Sequence, residues 1–180
     1  MTDINDLESV CLEMEHSYMG DLVVQLRCPN GTVITLHQQG GAGTFLGEPI
    51  DNGVDVDCDD PSTIGVPYQY CFTTGAAQTW VEYVDAQGGL FGQSLPAGDY
   101  ASVDKLNGLV GCPLNGEWQL WVTDNLGADD GTVTAFSLNF DASYYAPVTN
   151  FTPDLGTESD SSFWQAGGQF ITNTSADAND

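Results

Sequence analysis

The 180-residue chain carries 26 acidic side chains against two basic ones, Arg27 and Lys105, a formal charge of −24 at pH 7. Such a surface repels phosphate backbones and anionic lipid alike, which excludes nucleic acid as a partner. No apolar run reaches the ~18 residues that a membrane span needs, which excludes insertion as a helix, and 41% hydrophobic residues are enough for one domain with a core of its own.

Apolar residues alternate from the start of the chain. Val10, Leu12, Met14 and His16 form one phase and Leu22, Val24 and Leu26 the next, each about the length of an ordinary strand. "SYMG" between them reads as the turn of a hairpin. "CPNGT" reads as a second turn, since Pro fixes φ and Asn-Gly tolerates positive φ, and it leads to a third strand, "TVITLH". Residues 40 to 75 are too long for a hairpin loop and concentrate acidic residues, as expected of a functional or metal-organised excursion. Further strands are predicted at "TWVEYV", "GDYASV", "WQLWVTD" and "TVTAFSLNF", each bounded by Gly, Asn or Asp. No stretch shows a helical stripe, so the expected fold is an all-β sandwich or jelly roll of about eight strands over residues 1–141. Residues 142–180 turn rich in Ser, Thr, Asp and Gly and read as a linker toward a further domain. The alternative is a tail docked on the sandwich through Tyr144, Tyr145, Phe163 and Trp164.

Five cysteines without a CxxC pair point to an oxidising, extracellular compartment rather than to zinc. The polar segment after Met1 has no signal-peptide core, as in a piece of a longer precursor. Two bridges and one free thiol can be drawn in about fifteen ways. Strand phase puts Cys11 with Glu13 and Glu15 and Cys28 with the core, which disfavours a bridge between those two. The pairs expected are Cys58 with Cys71, inside the excursion, and Cys28 with Cys112, joining two similar "CP" turns.

The motif "HSYMGD" places a histidine beside a serine with an aspartate following. A serine hydrolase needs Ser, His and Asp to converge on an oxyanion hole, and the GxSxG elbow is absent. His16 continues the apolar phase of Met14, as a core histidine does, and His37 ends its strand in a structural position. Asp21 is either a turn residue or an oxygen ligand. Calcium takes 6 to 8 oxygens from carboxylates, amides and carbonyls, and two acidic loops offer them. One holds Glu48, Asp51, Asn52, Asp55, Asp57, Asp59 and Asp60; the other, "TDNLGADDG", holds Asp124, Asn125, Asp129 and Asp130. Concentrated like charge is costly without a cation, so calcium is the expected cofactor, at Asp21, Glu48, Asp51, Asp55, Asp57, Asp124, Asp129 and Asp130. Trp118 and Trp121 lie on opposite phases of one strand, one for the core and one for solvent, where sugar stacking is the functional alternative.

"HSYMGDLVVQLRCPNGTVITLH", then a Gly-rich loop, then "LNGEWQLWVTDNLGADDGTVTAFSLNF", resembles the P domain, or Homo B domain, of kexin- and furin-type proprotein convertases. The resemblance spans roughly Leu7 to Phe140 and is nearest to versions from marine gliding bacteria; the long acidic insertion and the cysteines depart from the convertase pattern. It implies a jelly roll that follows a subtilisin-like serine protease domain in the same polypeptide and stabilises it. From this comes the expectation of a secreted or cell-surface, non-catalytic accessory domain, monomeric as a fragment, with the subtilisin-like domain as its partner. The alternative is a calcium-binding adhesion or carbohydrate-binding module of a large extracellular protein.

Overall fold

In the computed structural model, residues 1–50, 64–127 and 129–144 are described in full, together with the backbone of residues 163–166 and 169–172. The chain divides into a unit Met1–Tyr145 and a unit Ala146–Asp180. The first contains β1 (Leu7–His16), β2 (Leu22–Arg27), β3 (Val33–His37), β4 (Phe45–Leu46), β5 (Tyr68–Phe72), α1 (Trp80–Ala86), β6 (Ser94–Leu95), β7 (Gly98–Tyr100), β8 (Gln119–Asp124) and β9 (Gly131–Phe140). The second contains a hairpin of β10 (Phe163–Ala166) and β11 (Gln169–Thr172).

The all-β sandwich expected from the alternation is what forms. One sheet is built around β1, flanked by β9 on one side and by β5 and β4 on the other, with β7 and β6 beyond them. The facing sheet is β3-β2-β8. Alternation explains which residues meet between them: Val10, Leu12 and Met14 from β1 and Leu22, Val24 and Leu26 from β2 are at most 1% exposed and belong to one core cluster. Burying each such side chain contributes about 1.5–3 kcal/mol before the entropy of ordering it.

Three expectations change. Ser17–Asp21 is not a hairpin turn, because β1 and β2 lie in different sheets; a 3₁₀ turn at Met19–Asp21 carries the chain across the sandwich. "TWVEYV" is not a strand but the start of α1. Thr79 caps that helix by accepting from the Glu82 amide, and the Glu82 carboxylate accepts from the Thr79 amide, a reciprocal capping box that outweighs the β propensity of Val81 and Tyr83. Trp80 and Val84, one turn apart, face the core.

The third is a cysteine pairing. Cys28 is bridged to Cys112 as expected, but Cys71 pairs with Cys11 and not with Cys58. The β1–β5 register sets Cys11 directly opposite Cys71, on the Glu13 phase, with Cα atoms 4.0 Å apart. Cys58 lies outside the described residues.

Trp118 packs inward against Phe140, ring centroids 6.3 Å apart, and Trp121 on the opposite phase is 43% exposed.

Candidate functional site

The crossover "HSYMGD" and the loop "TDNLGADDG" are separated by about a hundred residues and close on each other at one end of the sandwich. His16, the last residue of β1, is 4% exposed. Its Nδ1 accepts the Tyr18 amide at 3.0 Å, which requires the tautomer with hydrogen on Nε2. Nε2 faces Asp124 Oδ2 at 3.3 Å. Asp124 ends β8, opposite Leu22, and its Oδ1 accepts the Leu126 amide at 3.1 Å, which shapes the loop.

Two further ties complete the clamp. The Ser17 amide donates to the Asp130 carbonyl at 2.9 Å, and the Asp130 amide donates back to Ser17 Oγ at 3.2 Å. The backbone carbonyl of Asp21 accepts from both the amide and the Nδ2 of Asn125, at 3.2 and 2.7 Å. On its other flank the crossover is held by the loop before β4: the Met19 amide donates to Thr44 and the Gly20 amide to Ala42. Gly20 is required there, since a Cβ would lie 2.8 Å from the Ala42 carbonyl oxygen. Gly131 is required for a different reason. A Cβ at that position would fall 2.1 Å from Cδ2 of His16, so only glycine lets the imidazole seat against β9.

The same end holds a depression of about 360 Å³ lined by Met14, His16, Val122, Asp124, Asp129 and Asp130 among others. Its histidine is no general base, because both ring nitrogens are committed to structural partners. Ser17 is 2% exposed, with its oxygen held by the Asp130 amide. The second histidine, His37, is 1% exposed and donates from Nε2 to the Met19 carbonyl at 3.3 Å. Burial pushes its pKa down to about 4, against a smaller upward pull from that carbonyl. It stacks on Trp80, and His37 Nδ1 and Trp80 Nε1 have no hydrogen-bond partner among the described residues.

The acidic candidates fall into three places. Asp124, Asp129 and Asp130 share the depression, with Asp124 already engaged through both oxygens. Asp21, 7% exposed, sits in the crossover and contributes its backbone carbonyl to the clamp. Glu48 accepts the Tyr68 hydroxyl at 2.8 Å. Asp51, Asp55 and Asp57 lie outside the described residues, as do Asn52, Asp59 and Asp60. Among the described residues no group of three or more His, Cys, Asp or Glu side chains is placed to hold a metal ion. Sequence reading missed the Ser17–Asp130 exchange and the role of Gly131; the signal was there in the two motifs, but not that they meet.

Two disulfides staple the β-sandwich, as fits an oxidising compartment, and its histidines and buried serine hold structural partners; among the described residues no helix is long and apolar enough to cross a membrane. Residues 8–52, from β1 through the crossover to β4 and beyond, match the family model described as the proprotein convertase P-domain, which supports the P-domain resemblance drawn from the motifs. No curated protein and no solved structure matches the chain.

Proposed function

We propose that this P domain is the accessory domain of a secreted subtilisin-like serine endopeptidase of proprotein convertase type, where it packs against the catalytic domain and slows that domain's unfolding. The observation that carries the reading is the P-domain match over the strand–crossover–strand segment that the clamp ties to the loop after β8. A companion domain acts by covering surface its neighbour would otherwise expose, and a stapled sandwich loses little entropy on docking. Its histidines hold structure and leave the chemistry to the neighbour.

Calcium belongs to this proposal at the acidic excursion of residues 40 to 75, where concentrated carboxylates favour a cation. Calorimetry of the parent polypeptide, intact and cut between the two domains, tests the reading. Coupled domains melt in one transition above that of the severed catalytic domain. Two transitions unchanged by the cut would refute coupling. Millimolar calcium against EDTA in the same instrument tests the cation: equal midpoints would remove it from the account.

A further inference from the structure

We infer that the outer face of the β3-β2-β8 sheet is a binding platform for a neutral polysaccharide of equatorial pyranoses, centred on Trp121. This goes beyond the accessory role and uses none of the clamp.

The outward positions of the three strands are Val33 and Thr35 on β3, Val23, Gln25 and Arg27 on β2, and Gln119, Trp121 and Thr123 on β8. The register aligns Thr35 with Gln25 and Gln25 with Trp121 in one row, and Val33 with Arg27 and Arg27 with Gln119 in the next. In a chain with 26 acidic residues, not one of these eight outward positions carries a carboxylate. One of the chain's two cationic side chains, Arg27, lies among them.

Trp121 is pinned as well as exposed. Its Nε1 donates to Gln119 Oε1 at 3.2 Å, and Arg27 Nη1 donates to the same oxygen at 3.1 Å. The Gln119 amide nitrogen in turn donates to Glu117 Oε1. One side-chain amide thus orients both the indole and the guanidinium, which lies over the ring 5.7 Å from its centroid. The indole remains 43% exposed. A large aromatic left in water at that fraction, with its edge hydrogen-bonded and its neighbours polar, is built to receive a flat apolar face.

Ligand chemistry follows from these neighbours. The axial C–H face of an equatorial pyranose is flat and apolar and stacks on an indole, and its rim of hydroxyls requires donors and acceptors at the side. Strands lie about 4.8 Å apart, roughly one pyranose ring. A sugar over Trp121 therefore puts its hydroxyls above Gln25 and within reach of Thr35 and Arg27. No outward strand position is acidic, the Glu117 and Asp104 carboxylates reach the margin of the face at Gln119 and at the Thr35 amide, and a net charge of −24 around it favours a neutral chain over a polyanion.

The test is native affinity electrophoresis of the 180-residue chain in gels containing a soluble β-glucan or glycol chitin, with alginate as the anionic control, followed by titration with cello- and chito-oligosaccharides read by tryptophan fluorescence. Retardation by a neutral glycan is expected, with a loss of tenfold or more in affinity for Trp121→Ala and a smaller loss for Gln25→Ala. Trp118→Phe, which alters only the inward-facing ring, should bind as the parent chain does. Melting curves report whether each variant is folded, and Gln25→Ala keeps the test decisive should Trp121→Ala not fold. No retardation by any neutral glycan, retardation only by alginate, or equal binding by the parent and both face variants would overturn the proposal. None of these outcomes involves a protease, so they are separate from the fate of the accessory reading.

Discussion

Lowering the pH should strip a defined amount of stability from the sandwich through one residue, His37. In the native state its imidazole is 1% exposed and held neutral, with a pKa of about 4 against an ordinary 6.5. A depressed histidine contributes stability that is fully present above the unfolded value and is lost as pH falls through the folded one. The ceiling is the whole shift, about 3 kcal/mol. At pH 4.5 the unfolded histidine is protonated and the native one is still mostly neutral, so the greater part of that contribution, roughly 2–3 kcal/mol, is gone relative to pH 8. Other carboxylates titrate in this window, so the comparator is His37→Phe, which keeps a ring against Trp80 but cannot bind a proton. Urea denaturation of both proteins at pH 8 and 4.5 gives the difference of differences. The parent should lose roughly 2–3 kcal/mol more than the variant, and the variant should start lower at pH 8 by about 1 kcal/mol for the lost bond to the Met19 carbonyl. Parallel losses in the two proteins would refute the placement of a neutral imidazole in this core.

Gly131→Ala should destabilise the domain by about 1–3 kcal/mol in the same assay, since its Cβ displaces the His16 ring and overpacks the clamp. Glu15, 3% exposed, has its carboxyl held above the usual range by burial, opposed in part by the Thr132 hydroxyl and by His16. A raised carboxyl pKa means that stability present at acid pH is lost as pH rises through the folded value. Glu15→Gln should therefore raise the melting temperature at pH 7 and lose that advantage near pH 4. Replacing Cys28 and Cys112 by Ala opens a bridge of sequence separation 84 and should cost about 4–5 kcal/mol on the chain-entropy model; peptide mapping without reduction should recover Cys11–Cys71 and Cys28–Cys112 crosslinks.

Strands were readable from their period-two alternation, which in β2 is the direct imprint of a half-buried sheet, whereas β1 alternates in sequence although Cys11 and Glu15 on its polar phase are buried as well. The route between them was not. "SYMG" meets the local requirements of a hairpin turn and of a sheet-to-sheet crossover equally well, and only the pairing of β1 with β5 and β9 separates the two. The same non-local register decides that Cys11 finds Cys71. Helix α1 was hidden because its seven residues are too short to show a stripe, although Thr79 and Glu82 carry the capping signal. At the clamp, His16, Asp124 and Asp130 each stood out as chemistry-bearing residues, but their encounter depends on β1 and β8 ending at the same rim of the sandwich.

Heat inactivation of the proposed parent protease, with and without this domain, bears most directly on the central claim that the sandwich is a stabilising companion. At fixed calcium the enzyme that retains residues 1–141 should lose peptide hydrolysis several-fold more slowly than the enzyme cut short before them, while the isolated chain hydrolyses nothing. Equal half-lives, or peptide hydrolysis by the isolated chain, would contradict it.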